Sequence, residues 1–150
     1  MTPLATPNLI PSALLLQRTA LGAVFIAHGG QKLFGLWDGA GLSATVQSFE
    51  QFMGIPPWLT VAAALTEFFG GAAVLTGLFT RVACAGLAVV MLVAIFQAHW
   101  PNGFFINWDM VRGQGHGIEF DVTLLAVAAG LVLSGPGKYS MDRLLGIEVR

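Results

Sequence analysis

The chain has 150 residues, of which 55% are hydrophobic and only 10% charged, with a mean hydropathy of +0.74 and a formal net charge of −1. Soluble proteins carry roughly 25% charged residues, so the seven basic and eight acidic side chains here are too few to clothe a water-facing globule, and the apolar excess must face lipid. The near-neutral balance leaves no electrostatic footprint for nucleic acid or for a polybasic membrane-surface patch, and the lone Cys84 rules out an internal disulfide, a C-x-x-C redox pair and a tetrathiolate metal site.

A hydrocarbon core of roughly 30 Å, at 1.5 Å per residue, takes about 20 mostly apolar residues to cross. Stretches at about 13–34, 57–79, 82–98 and 118–133 meet this requirement approximately, so the expected fold is an all-α, integral membrane four-helix bundle formed by one domain over residues 1–150. Residues 1–12 hold three prolines and no Lys or Arg, and Arg18 lies inside the first apolar stretch, which reads as a permanent span rather than a cleaved leader. Near the end of that span comes His28, about 9 Å below the helix end, with Gln31 and Lys32 on the same face at spacings of three and four. A long connection over 35–56 leads to the second span, where Glu67 lies about 15 Å deep beside Phe68 and Phe69. Thr80–Arg81 reads as a tight connection that makes the second and third spans antiparallel neighbours.

The third span closes at His99, and a second long connection, over 99–117, precedes Glu119 and Asp121 at the head of the fourth. The last two spans are short and need flanking residues or a locally thinned bilayer. Gly70, Gly71, Gly86 and the pair Ala126-x-x-x-Gly130 supply small residues for close helix approach, within the bundle or in a homo-oligomer. With four spans, Arg18, Arg81, Lys138, Arg143 and Arg150 share the side of the termini, against Lys32 and Arg112 on the other, which places both termini in the cytoplasm. Trp37, Trp58, Trp100 and Trp108 all fall on the outer side, as a lopsided aromatic belt.

An ionisable group in hydrocarbon costs roughly 2.5–3.5 kcal/mol on insertion scales, so each needs a partner or a use. His28, Gln31, Lys32, Glu67, His99, Glu119 and Asp121 all converge on the outer half of the helices. Carboxylates and imidazoles gathered there suit proton transfer, or hydrogen bonding to a polar headgroup. A quinone or quinol fits that chemistry: its carbonyls need donors, its reduction needs protons, and its isoprenoid tail can leave into lipid. No H-E-x-x-H or Glu-x-x-His pair occurs, so no metal site is expected.

Each of these residues also has a structural reading. Glu67 with His28 or Lys32 can be a polar clamp between helices, Lys32 a snorkelling anchor, His99 a wet helix end before a turn, and Glu119 and Asp121 favourable charges at a helix N-terminus. Arg18 and Arg81 read as topological, interfacial charges and Cys84 as packing.

In order along the chain, His28-Gly29-x-x-Lys32-Leu33-x-Gly35, Glu67-x-x-Gly70-Gly71, Gly77-Leu78-x-Thr80-Arg81, His99, Glu119-Phe120 and the tail Gly135-Pro136-Gly137-Lys138-Tyr139-Ser140-Met141-Asp142 resemble the DoxX family of small prokaryotic membrane proteins, over about residues 18–145. The resemblance implies a four-helix membrane protein associated with respiratory redox chemistry, since some members are named as subunits of quinol oxidases or thiosulfate–quinone oxidoreductases, and others are connected with oxidative-stress and thiol defence. The chain has no helix-spaced histidine pair for haem, no cysteine pair and no nucleotide fingerprint, so the electron carrier would be the quinone itself or a partner's cofactor. The expectation is therefore a bacterial inner-membrane protein that gives a quinone or quinol site to a redox complex. Glu67 and His28 would handle protons, Lys32 and His99 would donate to the headgroup, Gln31, Glu119 and Asp121 would complete the site, and the outer loops would dock a redox partner protein. The alternatives are a non-catalytic membrane scaffold and a small proton-coupled transporter.

Overall fold

The computed structural model describes residues 9–147; residues 1–8 and 148–150, and with them Arg150 and most of the proline-bearing start, lie outside the described residues. Helices are the regular structure among the described residues: α1 (Ile10–Phe34), α2 (Gly41–Met53), α3 (Pro57–Thr76), α4 (Thr80–Asn102), α5 (Glu119–Ser134) and the short α6 (Met141–Leu144). By length and composition, α1, α3 and α4 can cross a membrane, with 25, 20 and 23 residues. At 16 residues, α5 spans only about 24 Å and falls short of a full hydrocarbon core.

Two helix starts use proline where its missing N–H costs nothing: Pro11 in the first turn of α1 and Pro57 at the head of α3. Glycines in left-handed conformation end α1 at Gly35, α2 at Gly54 and α3 at Gly77. The α3–α4 turn therefore occupies 77–79, one turn earlier than Thr80–Arg81, because Gly77 stops α3 and Thr80 already opens α4.

The core is one column of side chains from four helices: Leu21 and Phe25 of α1, Val74 of α3, Cys84, Leu87 and Met91 of α4, and Leu124, Ala128 and Leu131 of α5. The alternating spacings of three and four on α4 and α5 form an apolar seam between two antiparallel helices. Helices α1 and α3 approach backbone to backbone. A Cβ on Gly22 would lie 2.7 Å from the Gly71 carbonyl oxygen, and one on Gly71 would lie 2.8 Å from the Ile26 nitrogen, so only glycine fits on either side. Outward, Leu16, Val82, Val89, Phe96 and Leu133 are exposed along the helices, as lipid-facing positions should be. Ala126 and Gly130 also face outward, and a Cβ on Gly130 would meet nothing within 4 Å.

The 35–56 connection holds α2, a helix the hydropathy reading passed over because it is too short and too polar to span. Its signal was present: Leu42, Val46, Phe49 and Met53 recur at spacings of four and three, between Gly41 and Gly54.

The end of the molecule where α1 begins and α6 lies corrects the interfacial reading of Arg18. That side chain is 1% exposed. Its guanidinium donates to the carbonyl oxygens of Val74, at 3.3 Å, which also accepts from the Gly77 N–H, and of Tyr139. The tail then folds back over the 77–79 turn. Asp142 accepts from the backbone N–H groups of Phe79 (2.6 Å) and Thr80 (2.9 Å), capping α4, while its own N–H donates to the Gly77 carbonyl (2.8 Å). Arg81 keeps an exposed position and donates to the Val132 carbonyl (3.0 Å) near the C-terminus of α5.

Candidate functional site

At the other end, where the long connections lie, α3 and α4 splay apart. They touch low down, where a Cβ on Gly86 would come within 3.2 Å of the Thr66 methyl and one on Gly70 within 3.4 Å of Leu87. Above that level they diverge and leave a cavity of about 600 Å³, walled by α1, α2, α3 and α4. This lies within the range of about 300–1,000 Å³ usual for small-molecule sites. Its surface is mainly Ala, Val, Leu, Ile and Met, interrupted by a few polar groups.

Helix α1 contributes His28 and Lys32, one turn apart and both lining the cavity. Lys32 Nζ reaches both carboxylate oxygens of Glu67 on α3, at 2.5 and 2.6 Å, and the Glu67 side chain is 3% exposed against 25% for Lys32. Glu67 lies in a π turn over Thr66–Gly70, where the helix takes in one extra residue per turn. Such insertions re-aim side chains and recur at functional sites. A T-shaped contact between Phe34 and Phe68, centroids 5.1 Å apart, packs beside the pair, and the Phe49 ring of α2 stands 6.0 Å from Lys32 Nζ. His28 lines the same cavity, makes no hydrogen bond among the described residues, and lies within electrostatic reach of Lys32, Glu67 and Asp121.

Helix α4 also contains a π turn, Ile95–His99, and His99 closes it on the cavity wall. Its Nδ1 bonds to Asp121, a buried residue in the first turn of α5. With Nδ1 committed, Nε2 is the ring nitrogen left for a ligand. Thr60 adds a further group: it is 1% exposed, lines the cavity, and its hydroxyl has no hydrogen-bond partner among the described residues. Thr19, Thr45, Thr76 and Thr123 each return their hydroxyl to the carbonyl four residues earlier. For Thr60 that carbonyl is Pro56, which already accepts from the N–H groups of both Leu59 and Thr60.

The structure thus brings His28, Lys32, Glu67 and His99 to one cavity, with Asp121 behind His99. Glu119 and Gln31 point elsewhere. The Glu119 carboxylate accepts from the Ile106 N–H (3.1 Å) and pins the 103–118 loop, and Gln31 reaches the Trp37 carbonyl at 3.5 Å. That loop is held further by Asn107, which donates to the carbonyls of Val111 and Gln114 and accepts from the Val111 N–H. The residue reading missed Thr60 and the α2 side chains Phe49 and Met53. The helical spacing of the α2 pair was legible, but nothing local distinguishes Thr60 from the satisfied threonines. No group of three or more His, Cys, Asp or Glu that could hold a metal ion occurs among the described residues.

Comparison with known proteins agrees with this architecture. A protein of Mycobacterium tuberculosis named "Uncharacterized membrane protein Rv3486" is 34% identical over 141 residues, covering 90% of this chain and 82% of the relative. The Escherichia coli "Inner membrane protein YqjF" is 30% identical over 134 residues, 87% of this chain and 90% of the relative. The Bacillus subtilis protein named "Putative oxidoreductase CatD" is 29% identical over 128 residues, 85% and 83% of the two chains. No solved structure matches the chain. The family whose model matches is DoxX, over residues 13–100, which takes in α1 through the His99 turn and hence the cavity's charged and imidazole groups. The chain belongs to the DoxX family.

Proposed function

We propose that this DoxX membrane protein binds a quinone or quinol in the α1–α4 cavity and serves as the quinone-site subunit of a redox complex in a bacterial inner membrane. The observation that carries the reading is the donor set around an apolar cavity, Lys32, His28 and His99, with the partnerless Thr60 hydroxyl buried just behind its wall. The residues present fit a quinone. Two carbonyl oxygens need donors, and Lys32 keeps an N–H beyond the two bonds it gives to Glu67. A quinone bound there supplies two-electron, two-proton redox chemistry. Lys32 would orient the ring, and Glu67, paired with Lys32, would accept or return a proton beside it. Asp121 would hold the His99 ring by Nδ1, so that Nε2 donates or accepts at the cavity surface. Electrons would come from a redox partner protein docked on the ordered 103–118 loop, and one relative's name contains an oxidoreductase assignment.

On this reading α5 is the fourth span of a four-helix bundle, drawn across by its long seam with α4 and a local thinning of the bilayer. The termini are then cytoplasmic, because Arg18, Arg81, Lys138 and Arg143 gather at their end.

The test is Glu67→Gln in the purified full chain in lipid nanodiscs. Affinity for a benzoquinone is expected to fall at least tenfold while the helical fold persists; unchanged affinity sinks the assignment. The direct Lys32–Glu67 pair favours one second reading, a scaffold in which the pair only specifies helix packing. That reading predicts a change in stability with no quinone binding in the parent protein.

A further inference from the structure

The wedge between α3 and α4 bears on how a ligand lies in the cavity, an inference that rests on the quinone reading. The two helices are joined by the 77–79 turn and closely packed at Gly70 and Gly86. Toward the loop end their facing edges are small or apolar: Ala62, Ala63 and Thr66 on α3, with Val89, Val90 and Val93 on α4. Four cavity-lining residues are exposed: Ala62 and Val89, the latter at 59%, on the apolar α3–α4 edge, and the polar His28 and Gln97 nearer the loops. A residue with both properties marks an opening. The Ala62–Val89 part of it lies between two helices that can cross a membrane, so it faces lipid, while the Lys32–Glu67 pair stands deeper.

We propose that the Ala62–Val89 seam is a lateral portal to the bilayer, that the headgroup enters through it, and that the ligand's hydrocarbon tail rests in it when the ring is bound. The ligand class is then a membrane-dissolved quinone with a tail, rather than a water-soluble quinone arriving through the loops. Helix α2 supports this division, because Phe49 and Met53 wall the cavity on the loop side and leave the seam as the apolar way in. Tail methylenes in the seam add apolar burial that a tail-less ring cannot gain.

The test compares a decyl-substituted benzoquinone with its tail-less parent, using the full chain in nanodiscs and a readout independent of tryptophan fluorescence, equilibrium dialysis referenced to empty nanodiscs. Val89→Trp fills the seam from an exposed position and leaves the core column untouched, while Val82→Trp, 74% exposed on the same helix and away from the cavity, is the control. Val89→Trp should weaken decyl-benzoquinone at least tenfold and change the tail-less compound less than twofold, with Val82→Trp affecting neither. Equal weakening of both compounds, or of neither, overturns the portal while leaving the quinone site standing. If the parent protein binds neither compound, the quinone reading and the portal fall together.

Discussion

The molecule buries charge at both ends, and the two ends do so differently. At the α6 end, Arg18 and Asp142 are aimed at backbone: a guanidinium on two carbonyls, a carboxylate on two amides. The groups are nearly sealed, and about 180 Å³ of space lies between the start of α4 and the tail. At the loop end, Lys32 and Glu67 are aimed at each other across two helices, beside about 600 Å³ of space, with donors left over. Charges spent on helix termini hold the chain together, whereas a charge pair on a cavity wall with spare protons is arranged for something that comes and goes.

The largest expected effect tests the sealed end. Gly77 has φ +74, and a Cβ there would collide with the Arg18 guanidinium and with Ser140, so Gly77→Val should cost more than about 4 kcal/mol. The measurement is thermal unfolding in detergent, or the loss of folded protein altogether. Next, Arg18→Met should cost about 3 kcal/mol by removing the buried guanidinium that ties Val74 to the tail and leaving the Tyr139 carbonyl without that donor. Arg81→Met, which removes one exposed bond to Val132, should stay within about 1 kcal/mol. If the two arginines cost the same, the contrast between a sealed latch and a surface contact is wrong.

At the loop end the order of effects should reverse. Glu67→Gln alone removes the counter-charge of Lys32, leaving one amide oxygen to accept from it, and should cost about 2 kcal/mol, less than Arg18→Met, yet it should cost more in quinone affinity. The double change Lys32→Met with Glu67→Gln should recover much of the stability and none of the binding; recovery of both would reduce the pair to a clamp. The smallest effect is on the outward face of α5. Gly130→Leu meets no neighbour within 4 Å and should leave the stability of the single chain within about 0.5 kcal/mol. A shift in oligomeric state on size-exclusion chromatography would then show that the Ala126–Gly130 face packs against a second copy.

Hydropathy and spacing located the long helices to within a few residues, because a span needs a run of apolar residues whatever its neighbours are. The Lys32–Glu67 contact was foreshadowed by the same logic: two ionisable groups in apolar helices must find each other or a use. Helix α2 stayed hidden because its apolar face is only a few residues long, and it is the helix that walls the cavity on the loop side. Arg18 was misplaced because its sequence position, one-third of the way into α1, is equally compatible with snorkelling and with burial. The carbonyls that decide between them come from Val74 and Tyr139, far away in the chain.

Composition and hydropathy alone determined the solvent, the helical class and the approximate spans, since those follow from how much apolar surface each stretch carries and how long it runs. Which polar groups meet was decided by tertiary structure. The two π turns turn Glu67 and His99 toward one cavity, Glu119 is drawn off to the loop while Asp121 takes His99, and Thr60 is left without a partner. The reason is geometric: a residue's depth along a helix can be counted in the sequence, but the direction it faces depends on helix winding and on the neighbour that packs against it.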